Sequence, residues 1–392
     1  MLESWRWFGP NDPVTLAEIR QTGATDIVSA LHDIPIGEAW SREAIQVHKA
    51  LIEAQNDTMA PLHWTVVESI PVHDDIKLGL PGHETYVEAW IETLVNLAAE
   101  GIRTICYNFM PVIDWTRTDL KHRLPSGAYT LRFDQDKFAA FDLFILEREK
   151  AREDYSEPEM ARAQIAFEAM SEADKAELTR TIIAGLPGKM TDAYSLDDFR
   201  KALARYDGMD HAALRKTLFA FLDAVSPHAE AAGVKLAIHP DDPPWDMFGL
   251  PRIICTPDDL NVLFENVPSP ANGMTLCVGT YGSRPDNDLP DMALEFAPRI
   301  HFAHLRGVSL DPEEPRTFEE ASHLDSDTDM VSVIRNLLAN EKSLDREIFI
   351  RPDHGYQMLG DQRRSSNPGY SAIGRMKGLS EVRGVIKALS SS

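Results

Sequence analysis

The sequence predicts a (β/α)8 barrel, an α/β fold, with a helical insertion between its fourth and fifth strands. Short runs with strand character alternate with amphipathic helical segments, and this alternation favours a parallel sheet because parallel neighbours need long crossover connections. Eight such runs occur, which favours closure into a barrel. We expect residues 1–392 to form one barrel domain, with the insertion at about 120–225. An open doubly wound sheet is the alternative.

The eight runs with strand character follow in order along the chain. They are SWRWF near Ser4, TDIVSAL from Thr25, HWTVVES from His63, RTICYNF from Arg103, VKLAIH from Val234, MTLCVG from Met274, RIHFAHL from Arg299 and EIFIRP from Glu347. Amphipathic windows lie between them, such as EAIQVHKALIEAQ after Ser41 and YVEAWIETLVNLAAEGI. Gly101, in the second window, fits a helix C-terminal cap.

The segment between the fourth and fifth runs is too long for one crossover and predicts the insertion. It contains FAAFDLFILEREKARE, whose composition favours a helix. Ser171 with Asp174, and Ser195 with Asp198, match the capping-box pattern at helix starts. The string GLP from Gly185 predicts a helix end between them.

The composition predicts a soluble protein with a sizeable core. Hydrophobic residues make up 43% of the chain, and the net charge is -23. The sequence has no basic run, so duplex nucleic acid and anionic membrane surfaces are disfavoured as partners. No window reaches the roughly 18 apolar residues of a membrane span, and the start MLESWRWFGP does not resemble a signal peptide. Three cysteines, an odd number, suggest a reducing compartment, and we predict a cytoplasmic location.

Potential metal ligands lie at the ends of the last four predicted strands: His239, Cys277, His304 and Asp353. Catalytic groups in such barrels lie at the carboxyl ends of the strands, so these tips should be neighbours. Two imidazoles, a thiolate and a carboxylate suit a divalent metal: the thiolate suits Zn or Fe(II), and Mn(II) is compatible with the other ligands. Taken singly, the cysteine would be a small core residue and each histidine a hydrogen-bonded structural residue.

Other polar or aromatic residues at the strand tips are predicted to contact a small substrate: Arg6, Trp7, His32, Glu68, Ser69, Asn108 and Arg306. Arg306 or Arg351 could clamp a carboxylate, or form a salt bridge that holds Asp353 or another acid. His354 and Tyr370 are candidate acid–base groups; the alternatives are a solvent-facing loop histidine and a surface tyrosine. The two acids of IHPDDPPW either support the metal ligands from behind or cap the next helix.

Several long strings, in order along nearly the whole chain, resemble the mannonate dehydratases. They are RWFGPNDPV, ALHDIPIGEAW, VVESIPVHDDIK, NFMPVIDWTRTDL, LAIHPDDPPW, GLPRI, HFAHLRG and RPDHG. The resemblance implies a metal-dependent barrel similar to xylose isomerase. It also implies the removal of water from D-mannonate to give 2-dehydro-3-deoxy-D-gluconate, in hexuronate breakdown.

The same resemblance implies roles for individual residues. The four strand-tip ligands would bind a divalent metal, Mn(II) or Fe(II). His354 and Tyr370 would supply acid–base chemistry, with the catalytic Arg351 beside them. Gly307, in LRGVSLD, stands where the family pattern leads us to expect asparagine, which puts one substrate contact in question. We also expect a sugar-acid substrate and a homo-oligomer, either a dimer or a tetramer.

Two other functions are compatible with the sequence. The first is a sugar or sugar-acid isomerase or epimerase on the same barrel; such sites are rich in carboxylates and usually lack a thiolate ligand, so Cys277 argues against it. The second is a non-catalytic sugar-acid-binding protein. The presence of both candidate ligands and acid–base groups argues against that reading.

Overall fold

Eight parallel strands close into a barrel in the computed structural model, which describes residues 1–54, 59–184 and 195–391. The strands within these ranges, numbered in chain order, are β1 Leu2–Arg6, β2 Asp26–Ser29, β3 His63–Glu68, β4 Thr104–Tyr107, β5 Asp119–Arg123, β6 Tyr129–Phe133, β7 Lys235–Ile238, β8 Asn272–Cys277, β9 Ile300–His304, β10 Gly307–Leu310, β11 Phe318–Ala321 and β12 Phe349–Arg351. The order around the barrel is β1-β12-β9-β8-β7-β4-β3-β2. Each predicted run overlaps one barrel strand, so the barrel prediction is confirmed.

Helices connect the strands and pack around them. They are α1 Leu16–Thr22, α2 Arg42–Glu53, α3 Asp74–Leu78, α4 Glu84–Ala99, α5 Gln135–Ala140, α6 Glu157–Ala169, α7 Glu172–Ala184, α8 Leu196–Ala204, α9 His211–Ala232, α10 Pro257–Asn266, α11 Val278–Gly282, α12 Leu289–Glu295, α13 Met330–Leu344 and α14 Ala372–Ser390. None of the helices in the described ranges combines the length and the apolar character that crossing a bilayer requires.

The predicted helix ends are present where the structure describes them. Gly101 follows α4 with φ at 86° and has the left-handed conformation expected of a cap. Ser171 and Asp174 form a reciprocal capping box, with backbone-to-side-chain distances of 2.9 and 3.2 Å. The Asp198 N–H donates to Ser195 Oγ at 3.2 Å. The helix end predicted at Gly185 lies outside the described residues.

The barrel strands show the two-residue period of extended chains, which separates two sets of side chains. One set meets inside the barrel, where Val28, Val66, Cys106, Ala237 and Phe302 form a buried apolar cluster. The other set packs against the helices and belongs to the main hydrophobic core. The same period decides which side chains reach the barrel mouth.

A separate antiparallel sheet, the accessory sheet, has the order β10-β11-β6-β5 and joins the insertion to the segment after β9. We predicted only helices in the insertion and missed the hairpin β5–β6, because its first strand, DLKHR, is charged and lacks apolar alternation. Buried aromatic residues of a second core, among them Phe133, Phe138, Phe199 and Phe248, pack the hairpin and the insertion helices against the loop after β7.

His48, on α2, should make folding stability depend on pH. Burial lowers the pKa of its imidazole to about 4, although Asp33 raises it slightly. In the unfolded chain the imidazole takes up a proton near pH 6.5, so between about pH 6.5 and 4 protonation favours the unfolded state. We expect the free energy of unfolding to fall as pH falls through this window. His48→Gln should reduce that fall by about 1–2 kcal/mol, measured by urea denaturation at pH 7 and pH 5.

The control is His228→Gln, at an exposed position on α9. A His48 variant whose free energy of unfolding depends on pH as strongly as that of the wild type would contradict the prediction.

Candidate active site

The barrel mouth is lined by polar side chains, each of which comes two positions in sequence after a residue whose side chain faces the barrel interior. Because side chains alternate along a strand, a residue two positions after an interior side chain lies on the same face, at the carboxyl end of its strand. Six residues share this relation: Glu68, Asn108, His239, Cys277, His304 and Arg351. The strand period therefore brings ionisable groups together above an apolar interior.

Three of the four predicted metal ligands form a compact cluster. The ligand atoms of His239, Cys277 and His304 lie within 4.8 Å of one another. His239 donates its Nδ1 proton to the Pro240 carbonyl at 2.7 Å, which leaves Nε2 as the nitrogen with a free lone pair. His304 is fully buried, with its Nε2 3.5 Å from Glu68 Oε2 and its Nδ1 3.4 Å from Arg351 Nη2. Two imidazoles and a thiol whose ligand atoms lie this close together form a donor set that suits a divalent metal.

Asp353, the fourth predicted ligand, lies beside this cluster. Its Oδ2 is 3.9 Å from the Cys277 sulfur. Arg306 Nε donates to Oδ2 at 2.7 Å, and Arg351 Nη1 donates to Oδ1. The residue has φ at 62°, in the left-handed region that aspartate tolerates better than most residues. The carboxylate is thus held at the edge of the cluster, and its spare lone pairs remain available to a cation.

A buried network of four arginines and four carboxylates surrounds the cluster. Its members are Arg6, Glu68, Arg351, Asp353, Arg306, Asp242, Glu320 and Arg117. At one end, Glu68 accepts a bidentate pair from Arg351 at 2.8 and 3.1 Å and a third hydrogen bond from Arg6 at 2.5 Å. At the other end, Arg117 joins Asp242 and Glu320 at 2.6 and 3.0 Å. The formal charges of the network balance.

The centre of the network is Arg306, which is 2% exposed. Its guanidinium donates to Asp353, to Glu320 at 3.0 Å and to Asp242 at 2.6 Å. Its Nη2, which bonds Asp242, also donates to Thr280 Oγ1 at 2.9 Å. Each of its three nitrogens donates at least one hydrogen bond, so Arg306 holds carboxylates in this structure, and its role as a substrate contact stays a prediction. The alternative prediction, a salt bridge that holds Asp353, describes what the structure has.

The arginines keep the buried acids ionised. Burial raises the pKa of Glu68, but Arg351 and Arg6 together hold it well below its usual range. Burial likewise opposes ionisation of Asp353, and Arg351 and other nearby positive charges hold its pKa well below the usual value. Both groups are carboxylates at neutral pH, which suits them to accept hydrogen bonds or to bind a cation.

His354 and Tyr370 lie next to each other and beside Asp353. His354 Nδ1 is 2.6 Å from Glu320 Oε2, and its Nε2 is 3.7 Å from Asp353 Oδ1. The two rings meet edge to face with centroids 4.8 Å apart. Tyr370 is 2% exposed; burial raises the pKa of its phenol, although Arg351 lowers it. The phenol therefore carries its proton at neutral pH, and two groups able to exchange protons adjoin the candidate metal cluster.

Other predicted substrate residues lie at different distances from this centre. Ser69 and Asn108 line a cavity of about 200 Å³ on the side of β3 and β4. His32 is exposed and stacks on Phe8 with centroids 5.9 Å apart. Trp7 is not brought into the site: it is 4% exposed and belongs to the main hydrophobic core. It lies one position beyond an inward-facing residue of β1, so the strand period turns its ring toward the helices.

Comparison with known proteins identifies the family. A family model described as D-mannonate dehydratase (UxuA) matches residues 1–392. The chain belongs to the D-mannonate dehydratase family. A mannonate dehydratase of Marinomonas sp. (strain MWYL1) is 52% identical over 397 residues, with 100% of both chains covered. One from Brucella melitensis biotype 2 is 49% identical over 391 residues, covering 99% of this chain and 97% of the relative.

A solved structure of the D-mannonate dehydratase family supports the fold as well. The crystal structure of mannonate dehydratase from Streptococcus suis serotype 2 has a TM-score of 0.78 at 34% sequence identity, and the match covers 100% of this chain and 95% of that one. The predicted resemblance and the barrel are both confirmed by these comparisons.

Three residues of the candidate active site were not predicted from the sequence. Arg117 comes from the segment between β4 and β5 and Glu320 from the accessory sheet, and neither lies at a barrel strand tip. Thr280 Oγ1 lies 3.1 Å from the Cys277 sulfur. The only signal for Glu320 was its position in FEEA, where strand alternation buries one glutamate and leaves its neighbour half-buried.

Two further expectations are resolved by geometry. Of the paired acids after His239, Asp242 supports the site through Arg117 and Arg306, while Asp241 accepts the backbone N–H groups of Ile253 and Ile254 at 2.6 and 2.9 Å.

Gly307, where the family pattern suggested asparagine, is required by close packing. A Cβ at this position would lie 2.3 Å from Ser326 Cβ. A larger residue therefore does not fit this chain without a shift of the neighbouring segment.

Proposed function

We propose that the protein is a hydro-lyase that removes water from D-mannonate to give 2-dehydro-3-deoxy-D-gluconate, in hexuronate breakdown. The observation that carries the proposal is the family match over the whole chain. It is supported by the cluster of two imidazoles and a thiol beside a histidine and a tyrosine.

We propose His239, Cys277, His304 and Asp353 as the ligands of a divalent metal, Mn(II) or Fe(II). The free lone pair of His239 and the close approach of the His239, Cys277 and His304 ligand atoms support this assignment. Arg306 and Arg351 donate hydrogen bonds to the Asp353 carboxylate and so orient it. When bound, the metal would stabilise negative charge on the substrate oxygens.

The dehydration needs two proton transfers: a proton must leave the carbon beside the carboxylate, and the hydroxyl on the next carbon must depart with a proton. We propose His354 and Tyr370 for these two transfers. Glu320 engages Nδ1 of His354, so exchange with the substrate takes place at Nε2. The burial of both side chains restricts water at the reacting atoms.

Glu320 is proposed as a positioning residue that acts through His354. Glu320→Gln should lower kcat about tenfold with little change in KM and in bound metal, because the substrate is not its partner. The matched control is Glu319→Gln, on the same strand, whose side chain lies 3.2 Å from His122 instead. Steady-state kinetics of both variants are the test. A kcat of Glu320→Gln equal to that of the control, or a change in KM alone, would contradict the proposal.

The direct test of the proposed function is to incubate the purified protein with D-mannonate and Mn(II) and to measure the 2-keto acid formed. Fe(II), Co(II) and Zn(II) are tested in parallel. No product with any metal would contradict the proposal. A product of unchanged mass would indicate an isomerase or epimerase, and tight binding without turnover would indicate a binding protein.

A cytoplasmic location and a homo-oligomeric assembly remain predictions. The three cysteines, all buried and none in a disulfide, support a reducing compartment.

A further inference from the structure

A second polar cavity, of about 630 Å³, lies between the loop after β7 and the insertion. We call it the arginine cavity, because four arginines lie in its wall: Arg215, Arg252, Arg284 and Arg316. The four proposed metal ligands, His354 and Tyr370 do not line it. It is therefore a feature separate from the candidate active site.

Arg252 is the unusual member of this wall. It is 3% exposed, and none of its three guanidinium nitrogens has a hydrogen-bond partner among the described residues. Asp241 is near enough to interact electrostatically but makes no ion pair with it, and Asp241 Oδ2 is taken by the backbone of Ile253 and Ile254. A guanidinium stays charged at any ordinary pH, so its burial without a paired anion is costly.

The other three arginines have acidic partners. Arg215 pairs with Asp259 at 2.5 Å, and Arg284 pairs with Asp286 at 2.6 Å. Arg316 pairs with Glu159. Among the four arginines, the one without an ion pair to a described residue is therefore Arg252.

Among the described residues of this wall, buried donors without a hydrogen-bond partner also outnumber buried acceptors without one. Besides the three nitrogens of Arg252, Arg215 Nε and Trp245 Nε1 are buried without a hydrogen-bond partner. Within the described part of the wall, Gln135 Oε1 is the one acceptor that is buried without a hydrogen-bond partner. This excess of donors is complementary to a group that carries several acceptor oxygens and a negative charge.

We propose that the arginine cavity binds a small oxyanion, a carboxylate or a phosphate, through Arg252 and Trp245. A planar guanidinium pairs with two oxygens of such a group at once. An ordered water molecule could accept a hydrogen bond from one of these N–H groups but could not neutralise the positive charge of the guanidinium. The bound anion would join the loop that carries Trp245 and Arg252 to the insertion, which contributes Gln135 to the same wall. This inference goes beyond the proposed dehydration and does not depend on it.

The test is thermal unfolding of the full-length, metal-loaded protein during titration with inorganic phosphate or with acetate, against chloride at equal ionic strength. We expect one of the two anions to raise Tm by a few degrees in a saturable manner. The anion that does so identifies the ligand class. In Arg252→Met this rise should disappear, while Tm without the anion should equal or exceed that of the wild type, because an unpaired buried charge has been removed.

Two further variants keep the test decisive. Arg335→Met, at an exposed position on α13, should respond to the anion as the wild type does. Trp245→Phe keeps an aromatic ring and removes one donor, so its anion midpoint should rise several-fold. The inference is overturned if neither anion has a saturable effect, if Arg252→Met responds like the wild type, or if the rise in Tm follows protein concentration and not anion concentration. Turnover of D-mannonate is measured separately, so failure here is distinct from failure of the proposed function.

Discussion

His354→Asn should reduce turnover of D-mannonate by roughly 10²- to 10⁴-fold while leaving bound metal unchanged, since that is the usual contribution of a positioned acid–base group. Asparagine can keep a hydrogen bond to Glu320, which His354 contacts at 2.6 Å, but it cannot exchange a proton. The measurement is kcat together with metal content by elemental analysis of the same sample.

The control for this prediction is His122→Asn, on β5, where the histidine lies 3.2 Å from Glu319 at the accessory sheet. Its turnover should stay near the wild-type value. Full activity of the His354 variant would remove His354 from the mechanism. Loss of metal along with activity would instead assign it a role in holding the site together.

Cys277→Ser and Asp353→Asn should each weaken metal binding by more than about 100-fold. Groups that merely support metal ligands are commonly worth about 10- to 100-fold in affinity, so the loss of a ligand should exceed that range. Turnover should fall in proportion to the metal lost. Metal competition with a chelator measures the affinity of each variant.

The matched control for Asp353→Asn is Asp242→Asn. Asp242 accepts from the same Arg306 guanidinium, at 2.6 Å, but is not a proposed ligand. Its variant loses an equivalent ion pair and should keep its metal. Equal metal affinity in the two aspartate variants would show that the ion-pair network, and not direct ligation by Asp353, controls binding.

The barrel and its strand-tip residues were predictable because both follow from local periodicity. The alternation along β7, β8 and β9 that buries one set of side chains also brings His239, Cys277 and His304 to the mouth two positions later. The same rule explains why the sequence analysis wrongly placed Trp7 in the site. We counted it among the strand-tip residues without considering which side of the sheet its side chain faces after β1.

The buried partners of these residues were not predictable in the same way. Arg117 and Glu320 are separated by 203 positions and meet only because the accessory sheet pairs the insertion with the segment after β9. Nothing in the local pattern around either residue indicates this pairing. Arg306 illustrates the consequence: its position at a strand tip suggested a contact with a carboxylate, but nothing in the local sequence indicated that Asp353, Glu320 and Asp242 would each accept a hydrogen bond from it.

The central claim is that the Cys277 sulfur is a ligand of the metal, and the absorption spectrum of the cobalt(II)-loaded protein tests it most directly. Thiolate ligation produces a sulfur-to-cobalt charge-transfer band. The wild type should show this band, Cys277→Ser should lose it, and Cys255→Ser, which alters a buried thiol near Asp241, should keep it. A band that persists in Cys277→Ser, or a cobalt-loaded wild type without one, would contradict the claim.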